Sequence, residues 1–437
     1  MKHKGQEMIS LAVISDDFTG ALDTGVQFAK NGVSVKILTL TEFTEKGFAT
    51  DSTDVLVVDA EMRHLSAEKA YEISWEFVAR ALQAGVPNIY IKTDSGLRGN
   101  IGSVLKAALE TSGERMIAFL PAFPDMNRTT RNGMHYINEV PIHKSSFGQD
   151  PFEPVQSPYV QDLFKGLEVE TVILEQSGTY HTDFERPTIG IFDIRTNDDF
   201  RRIAAHLKSH NQLKIVAGCA GFASVLTEFV DLPNHSRSNT DAIKPLLIVC
   251  GSLSPVTKRQ VEYAHGNGFE QIELTPQQLL QRDYFYSAEG KVWLASKQEL
   301  FLSQKPIVID TGFMHPERME QYDNASPFAK EKNRAKISKS LGLLMKQLLE
   351  MNYCRDRTLM IVGGDTMLGF IKQIHWQDIT PVSELELGTV LTYIHAQDQL
   401  IEVVSKSGSF GEPDLLVKIA AKSSSRPKEQ QQWQNII

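Results

Sequence analysis

The chain has little cysteine, no excess of positive charge and no long apolar run. Its three cysteines, Cys219, Cys250 and Cys354, lie far apart without CxxC spacing, which argues against a disulfide framework or a zinc knuckle and fits a reducing compartment. No apolar stretch approaches the roughly 18 residues of a membrane span. The N-terminal MKHKGQEMISLAVIS lacks a cleavage motif and passes straight into acidic residues, so it reads as a first strand rather than a leader. A cytoplasmic protein without membrane association is expected. Lys plus Arg number 45 against 54 Asp plus Glu, giving a net charge of -9, and a nucleic-acid partner is not expected because phosphate-backbone binding relies on clustered cations. Any anionic ligand must be met by local donors. Neither GxxxxGK[ST] nor a strand-linked GxGxxG occurs, so the generic nucleotide-binding families are not matched.

What is present is an alternating α/β pattern. At 437 residues, 41% hydrophobic and 23% charged, the chain has ordinary globular composition and fits two domains, since domains run to roughly 100–200 residues. The runs LAVIS (11–15), VSVKILTL (33–40), DVLVVDAE (54–61), NIYIKTD (88–94), MIAFLPAF (116–123), TVILE (171–175), IGIFDI (189–194) and KIVAGCA (214–220) read as strands. Helical spacing separates them over 21–31 and 66–84, the latter presenting Tyr71, Trp75, Val78 and Leu82 to the sheet. The polar segment 231–245 reads as a linker, placing a first domain at 1–230. A second alternation follows over 246–420, with strands LLIVC, PIVID, TLMIVGG, GTVLTYI and LIEVVS. Residues 421–437 read as a polar tail. The fold class expected is α/β, with two domains, each a mostly parallel sheet flanked by helices, and ligands at the carboxyl ends of the strands in an interdomain cleft.

Chemistry-bearing residues cluster at those strand ends. After the first strand comes Ser15-Asp16-Asp17-Phe18-Thr19-Gly20. Adjacent residues of an extended segment point opposite ways, so one carboxylate can face the cleft as proton acceptor while the other caps the helix; Asp17 is assigned to the cleft. Arg63 lies just past the third strand, where a planar guanidinium can clamp a carboxylate. Lys92-Thr93-Asp94-Ser95-Gly96-Leu97-Arg98-Gly99 packs cations, a carboxylate and hydroxyls into one turn. Lys92 there can neutralise an anion, and Asp94 can hold hydroxyls. His135 reads as a structural histidine.

In the second half, Gly251-Ser252-Leu253-Ser254-Pro255 places an N-cap and a helix-starting proline at a strand end, and the free N–H groups of such a start can take phosphate. Gly363-Gly364-Asp365-Thr366 and Lys406-Ser407-Gly408-Ser409 are two further glycine loops. Each by itself is an ordinary turn.

In order, SDDFTGALDTG, DAEMR, KTDSGLRGNIG, GSLSPVT, GGDTMLG and SKSGSFG resemble the two-domain four-carbon acid sugar kinases from about residue 11 to residue 415. That resemblance implies a sugar acid bound by Asp17, Arg63, Lys92, Thr93, Asp94 and Ser95, and ATP bound by Ser254, Gly363, Gly364, Asp365, Thr366 and Gly408. It implies Mg²⁺ with the ATP, without naming the metal's ligands, and leaves a homodimer open. Ser15, Gly96 and Ser409 depart from the residues usual at those places. The stretch DTGVQFAKNG is more similar to D-threonate kinases than to 3-oxo-tetronate kinases. The expected reaction is therefore phosphorylation of the terminal hydroxyl of a four-carbon acid, with Asp17 as base. A dinucleotide-dependent oxidoreductase is disfavoured by the missing fingerprint; a non-catalytic sensor using the same loops is the remaining competitor.

Overall fold

A computed structural model describes residues 9–48, 53–149, 153–175, 180, 184–233, 242–312, 327–396, 399–408 and 410–423. The chain divides into two compact units, Met1–Arg237 and Ser238–Ile437. Most of the expected linker, Ser409 and most of the polar tail lie outside the described residues. No helix among the described residues is long and apolar enough to cross a membrane.

The first unit contains β1 (Leu11–Ser15), β2 (Val35–Thr39), β3 (Val55–Asp59), β4 (Asn88–Lys92), β5 (Met116–Leu120), β6 (Arg128–Arg131), β7 (Met134–Ile137), β8 (Val140–Pro141), β9 (Glu170–Leu174), β10 (Thr188–Phe192) and β11 (Ile215–Gly218). Eight of these follow one another in the order β2-β3-β1-β4-β11-β5-β10-β9, every pairing parallel. Central strands such as β1, β3 and β5 are buried at every residue, which explains why they read as unbroken apolar runs: a parallel sheet is covered on both faces. Helix Phe18–Ala29 is buried along most of its length.

Helix Ala67–Gln83 turns inward a face that only partly overlaps the one its sequence suggests. Ala70, Ile73, Ser74, Phe77, Val78 and Ala81 are buried, whereas Trp75 is 48% exposed. The small residues at 70, 74 and 81 allow close packing, and Ser74 Oγ donates to the Val104 carbonyl of helix Ile101–Ser112. Of the expected stripe, Val78 is buried and Leu82 packs against the core, whereas Trp75 faces outward.

A separate antiparallel sheet, β6-β7-β8, escaped the sequence reading. Its first turn is Asn132-Gly133, both with positive φ, the dipeptide that favours a tight hairpin.

The second unit contains β12 (Leu246–Cys250), β13 (Glu270–Glu273), β14 (Ile307–Asp310), β15 (Thr358–Val362), β16 (Trp376–Glu386), β17 (Thr389–Ala396) and β18 (Gln399–Lys406), in the order β13-β14-β12-β15-β18-β17-β16. From β13 to β18 the pairings are parallel. β16, β17 and β18 form an antiparallel meander, so these strands are mixed, mostly parallel as expected but with an antiparallel end. Beneath it Arg357, 3% exposed, donates to the carbonyls of Phe301, Leu246, Lys305, Leu300 and Ser303. Burial lowers its pKa to about 10.

Candidate functional site

Strand register assembles the first cluster. Ser15 at the end of β1 lies opposite both Asp59 of β3 and Lys92 of β4, so the three loops that follow start from one edge of the sheet. Asp17 is the N-cap of helix Phe18–Ala29, its Oδ1 accepting from the Gly20 N–H at 2.8 Å. Capping thus falls to Asp17, not to its neighbour as the alternation suggested. Arg63 Nη1 reaches Asp17 Oδ2 at 2.8 Å and its Nε reaches Asp16 Oδ2 at 2.7 Å. One guanidinium therefore holds both carboxylates, and its clamp is closed on the protein's own acids.

Lys92 Nζ stands 3.8 Å from Asp16 Oδ1, an oxygen with no hydrogen-bond partner. Burial raises the Asp16 pKa, with Arg63 and Lys92 opposing and Asp17 reinforcing the shift. Burial also pushes Asp59 well above the usual carboxylate range, aided by the charges of Glu61 and Asp17. Glu61, in a left-handed backbone conformation, accepts from the Phe18 N–H at 3.3 Å, giving the helix start a second acid. Of the adjacent pair, Asp17 is the more open, its side chain 26% exposed against 10% for Asp16.

The loop after β4 completes this cluster. Thr93 is buried, its N–H bonded to the Gly218 carbonyl, and its hydroxyl makes no hydrogen bond. Asp94 accepts from Arg98 Nε at 2.7 Å. Although burial pushes the other way, Arg98 and Arg63 hold Asp94 well below the usual carboxylate range. Ser95 Oγ accepts from Arg128 Nη1. Arg98 and Arg128 each stack on the Phe147 ring with 5.1 Å to its centroid, and a Cβ on Gly96 would strike that ring.

His135 sits behind this loop. Its Nε2 lies 3.1 Å from the Ser95 carbonyl and its Nδ1 3.0 Å from Thr130 Oγ1. A carbonyl only accepts, so Nε2 carries the proton and Nδ1 accepts from the threonine. Burial lowers its pKa to about 4, which keeps the ring neutral in that role. Sequence reading was right to treat His135 as structural but had no way to see that it anchors the Ser95 loop.

The second unit gathers its glycine loops the same way. Cys250 lies opposite Asp310 and Val362, and Val362 opposite Lys406, so the loops after β12, β14, β15 and β18 leave one edge. Ser254 caps helix Pro255–Gly266 through the Val256 N–H at 3.3 Å. Gly363, with φ 110, precedes helix Gly364–Ile371. A Cβ on Gly251 would collide with Thr366 Oγ1, and one on Gly408 with Ser252 Oγ. Thr257 Oγ1 ties the first loop to the third by donating to the Gly408 carbonyl at 2.7 Å. Ser254, Gly363, Gly364, Thr366 and Gly408 thus converge. Asp365 is more exposed and is gripped by Arg334, Nε to Oδ2 at 2.6 Å and Nη2 to Oδ1 at 2.8 Å. Residues missed by sequence reading include Arg128, Arg334, Thr257 and Gln260, whose amide donates to the carbonyls of Phe410, Gly411 and Glu412. Thr257 closes the GSLSPVT motif but was given no role there; the other three lie outside the quoted motifs.

One unit thus pairs acids and hydroxyls with cations, and the other offers backbone donors at helix starts. Comparison with known proteins gives the same division. A model described as a sugar-binding N-terminal domain matches residues 11–226, and one described as a nucleotide-binding C-terminal domain matches 247–416. D-threonate kinase of Salmonella typhimurium LT2 is 24% identical over 428 residues, covering 93% of this chain and 97% of its own. That of Bordetella bronchiseptica is 26% identical over 421 residues, covering 94% and 96%. The 3-oxo-tetronate kinase of Pectobacterium atrosepticum is 24% identical over 437 residues, covering 94% and 98%. A solved structure from Salmonella typhimurium LT2 superposes with TM-score 0.73 at 17% identity, over 95% of this chain and 98% of the other. One from Haemophilus influenzae gives 0.67 at 19%, over 94% and 100%. These two likenesses establish a shared fold.

Proposed function

Because the chain belongs to the four-carbon acid sugar kinase family, we propose that it transfers the γ-phosphoryl group of ATP to the terminal hydroxyl of D-threonate, giving D-threonate 4-phosphate. 3-Oxo-tetronate and D-erythronate are the alternative acceptors, as relatives named for each also match. The observation that carries the reading is the cluster at the end of β1, β3 and β4: two acids bridged by Arg63, a buried Lys92 and an unbonded Thr93 hydroxyl. A polyhydroxy acid needs that mixture of cation, carboxylate and hydroxyl.

In this reading Lys92 and Arg63 meet the acid's carboxylate, Arg63 while bracing the acid pair. Thr93, Asp94 and Ser95 orient its hydroxyls. Asp17, the more open acid, aligns the terminal hydroxyl and takes its proton; in a loose phosphoryl-transfer transition state that proton leaves late, so a carboxylate suffices. ATP lies on the Ser254, Gly363-Gly364-Asp365-Thr366 and Gly408 loops, where helix starts present N–H groups to phosphate.

Mg²⁺ supplies charge neutralisation on the nucleotide. Among the described residues no three His, Cys, Asp or Glu side chains group to hold a metal. When bound with the nucleotide, Mg²⁺ would be held chiefly by phosphate oxygens and water, as it commonly is. No side chain is assigned to it.

The test is ADP release by the purified chain with Mg-ATP against D- and L-threonate, D- and L-erythronate and 3-oxo-tetronate, with an acid-free control. Turnover dependent on D-threonate, with a matching 4-phosphate product, supports the proposal. Preference for another acid moves the substrate within the family, and ATP binding without turnover on any acid refutes the kinase reading.

A further inference from the structure

We propose that Lys406 is a phosphate-binding residue, its buried ammonium serving as counter-charge to the polyphosphate of the bound nucleotide; this rests on the nucleotide reading of the second unit. Lys406 ends β18 and is 2% exposed. The register Cys250–Val362–Lys406 places its side chain on the sheet face shared with Cys250 and Val362. That face packs Val261 and Ala264 of helix Pro255–Gly266 and Leu415, Leu416 and Ile419 of helix Leu415–Ala421.

An ammonium buried there is costly without an anion. Its Nζ donates to the Ser407 carbonyl at 2.8 Å, and it has no carboxylate partner among the described residues. An ammonium has three donors, so two are left over. Along the row of strand ends the flanking acids are Glu386, two strands away across Thr389, and Asp310, three strands away and bonded to Gln271 Nε2 and the Gly312 N–H, each at 2.7 Å; neither is ion-paired with Lys406. Burial accordingly lowers the Lys406 pKa to about 8.

What surrounds the lysine favours an anion. The Lys406 carbonyl accepts from the Gly363 N–H at 2.9 Å, immediately before helix Gly364–Ile371. Its own loop continues into Gly408, which abuts Ser252 before the Ser254 cap. A buried cation without a counter-ion, on a segment whose backbone meets one helix start and whose loop abuts another, has the chemistry of a phosphate site.

The test titrates the full chain with ADP and with adenosine by calorimetry. Lys406→Met lowers ADP affinity by about tenfold or more, the scale of a charge-assisted hydrogen bond, and leaves adenosine affinity within about twofold. Lys406→Arg, which keeps the charge, restores part of the ADP affinity. Equal losses for ADP and adenosine, or no loss for either, overturn the proposal. So does a Lys406→Met chain that fails to fold, because replacing an unbalanced buried ammonium with an apolar chain of similar size should leave stability equal or higher. A wild-type chain that binds no ADP removes the nucleotide reading itself.

Discussion

Gly20 sits in the first turn of the helix behind the acid pair, and a methyl group there points into the cluster. A Cβ on Gly20 would lie 2.6 Å from Asp17 Oδ1 and 3.0 Å from Ser15 Oγ, and nearer still to Lys92 Nζ. Ordinary contact with carbon needs about 3.5 Å, so Gly20→Ala must drive these atoms back by roughly 1 Å. All three are side-chain ends, so the backbone can stay in place. Losing the Asp17 cap costs about 1 kcal/mol, and alanine in place of glycine within a helix returns about 0.5–1 kcal/mol. Stability should therefore change by less than about 1 kcal/mol. Displacing catalytic atoms by about 1 Å costs on the order of 100-fold in rate, or about 2.7 kcal/mol. Thermal melts paired with steady-state kinetics on D-threonate measure the two quantities. A normal melt with kcat/KM within about threefold of wild type would show that the Asp17–Lys92 cluster is not where the substrate reacts. A large drop in melting temperature would show that the backbone, not the side chains, absorbs the methyl group.

Three other substitutions test different parts of the structure. Asp17→Asn keeps a capping residue, so stability should hold within about 1 kcal/mol while kcat falls on the order of 100-fold or more with KM little changed; near-normal turnover removes Asp17 as base. Because the His135 pKa falls from 6.5 unfolded to about 4 folded, the unfolded state binds the extra proton first, and stability should be lost as pH drops from 6.5 towards 4, by about 3 kcal/mol in all. His135→Gln should flatten that part of the melting profile, and an unchanged profile would mean that other groups set it. Arg357→Met strands the five carbonyls that Arg357 serves and should destabilise the second unit by at least about 3 kcal/mol, seen as an earlier melting transition; an unshifted transition would mean water replaces the guanidinium.

Parallel strands were legible because they are covered on both faces: LAVIS and LLIVC needed no alternation to be recognised, and both occupy the positions expected. The stripe chosen by size failed at Trp75, because the buried face of helix Ala67–Gln83 interleaves Ala70, Ser74 and Ala81 with Ile73, Phe77 and Val78. Asn132-Gly133 announced a hairpin, but the flanking RTTR and MHYI segments are too short and polar to read as strands. In the site, loops were visible through their dense polar sequence while partners were not. That Arg63 would close on Asp16 and Asp17, or that Arg128 would reach Ser95, depends on strand order and on chain returning from more than thirty residues away. Lys406 stood in a recognised loop, yet its burial without a counter-ion is a property of the folded sheet alone.

The small β6-β7-β8 sheet sends Arg128 from one strand and His135 from the next to the same serine, one to its hydroxyl and the other to its carbonyl. It therefore works as a backstop for the Ser95 loop, built apart from the eight-stranded framework. Substitutions that shift this hairpin can move the Ser95 loop while leaving the main core as it is. If the proposed acid site holds, such a kinase is retuned from acid to acid by moving a wall instead of rebuilding the floor.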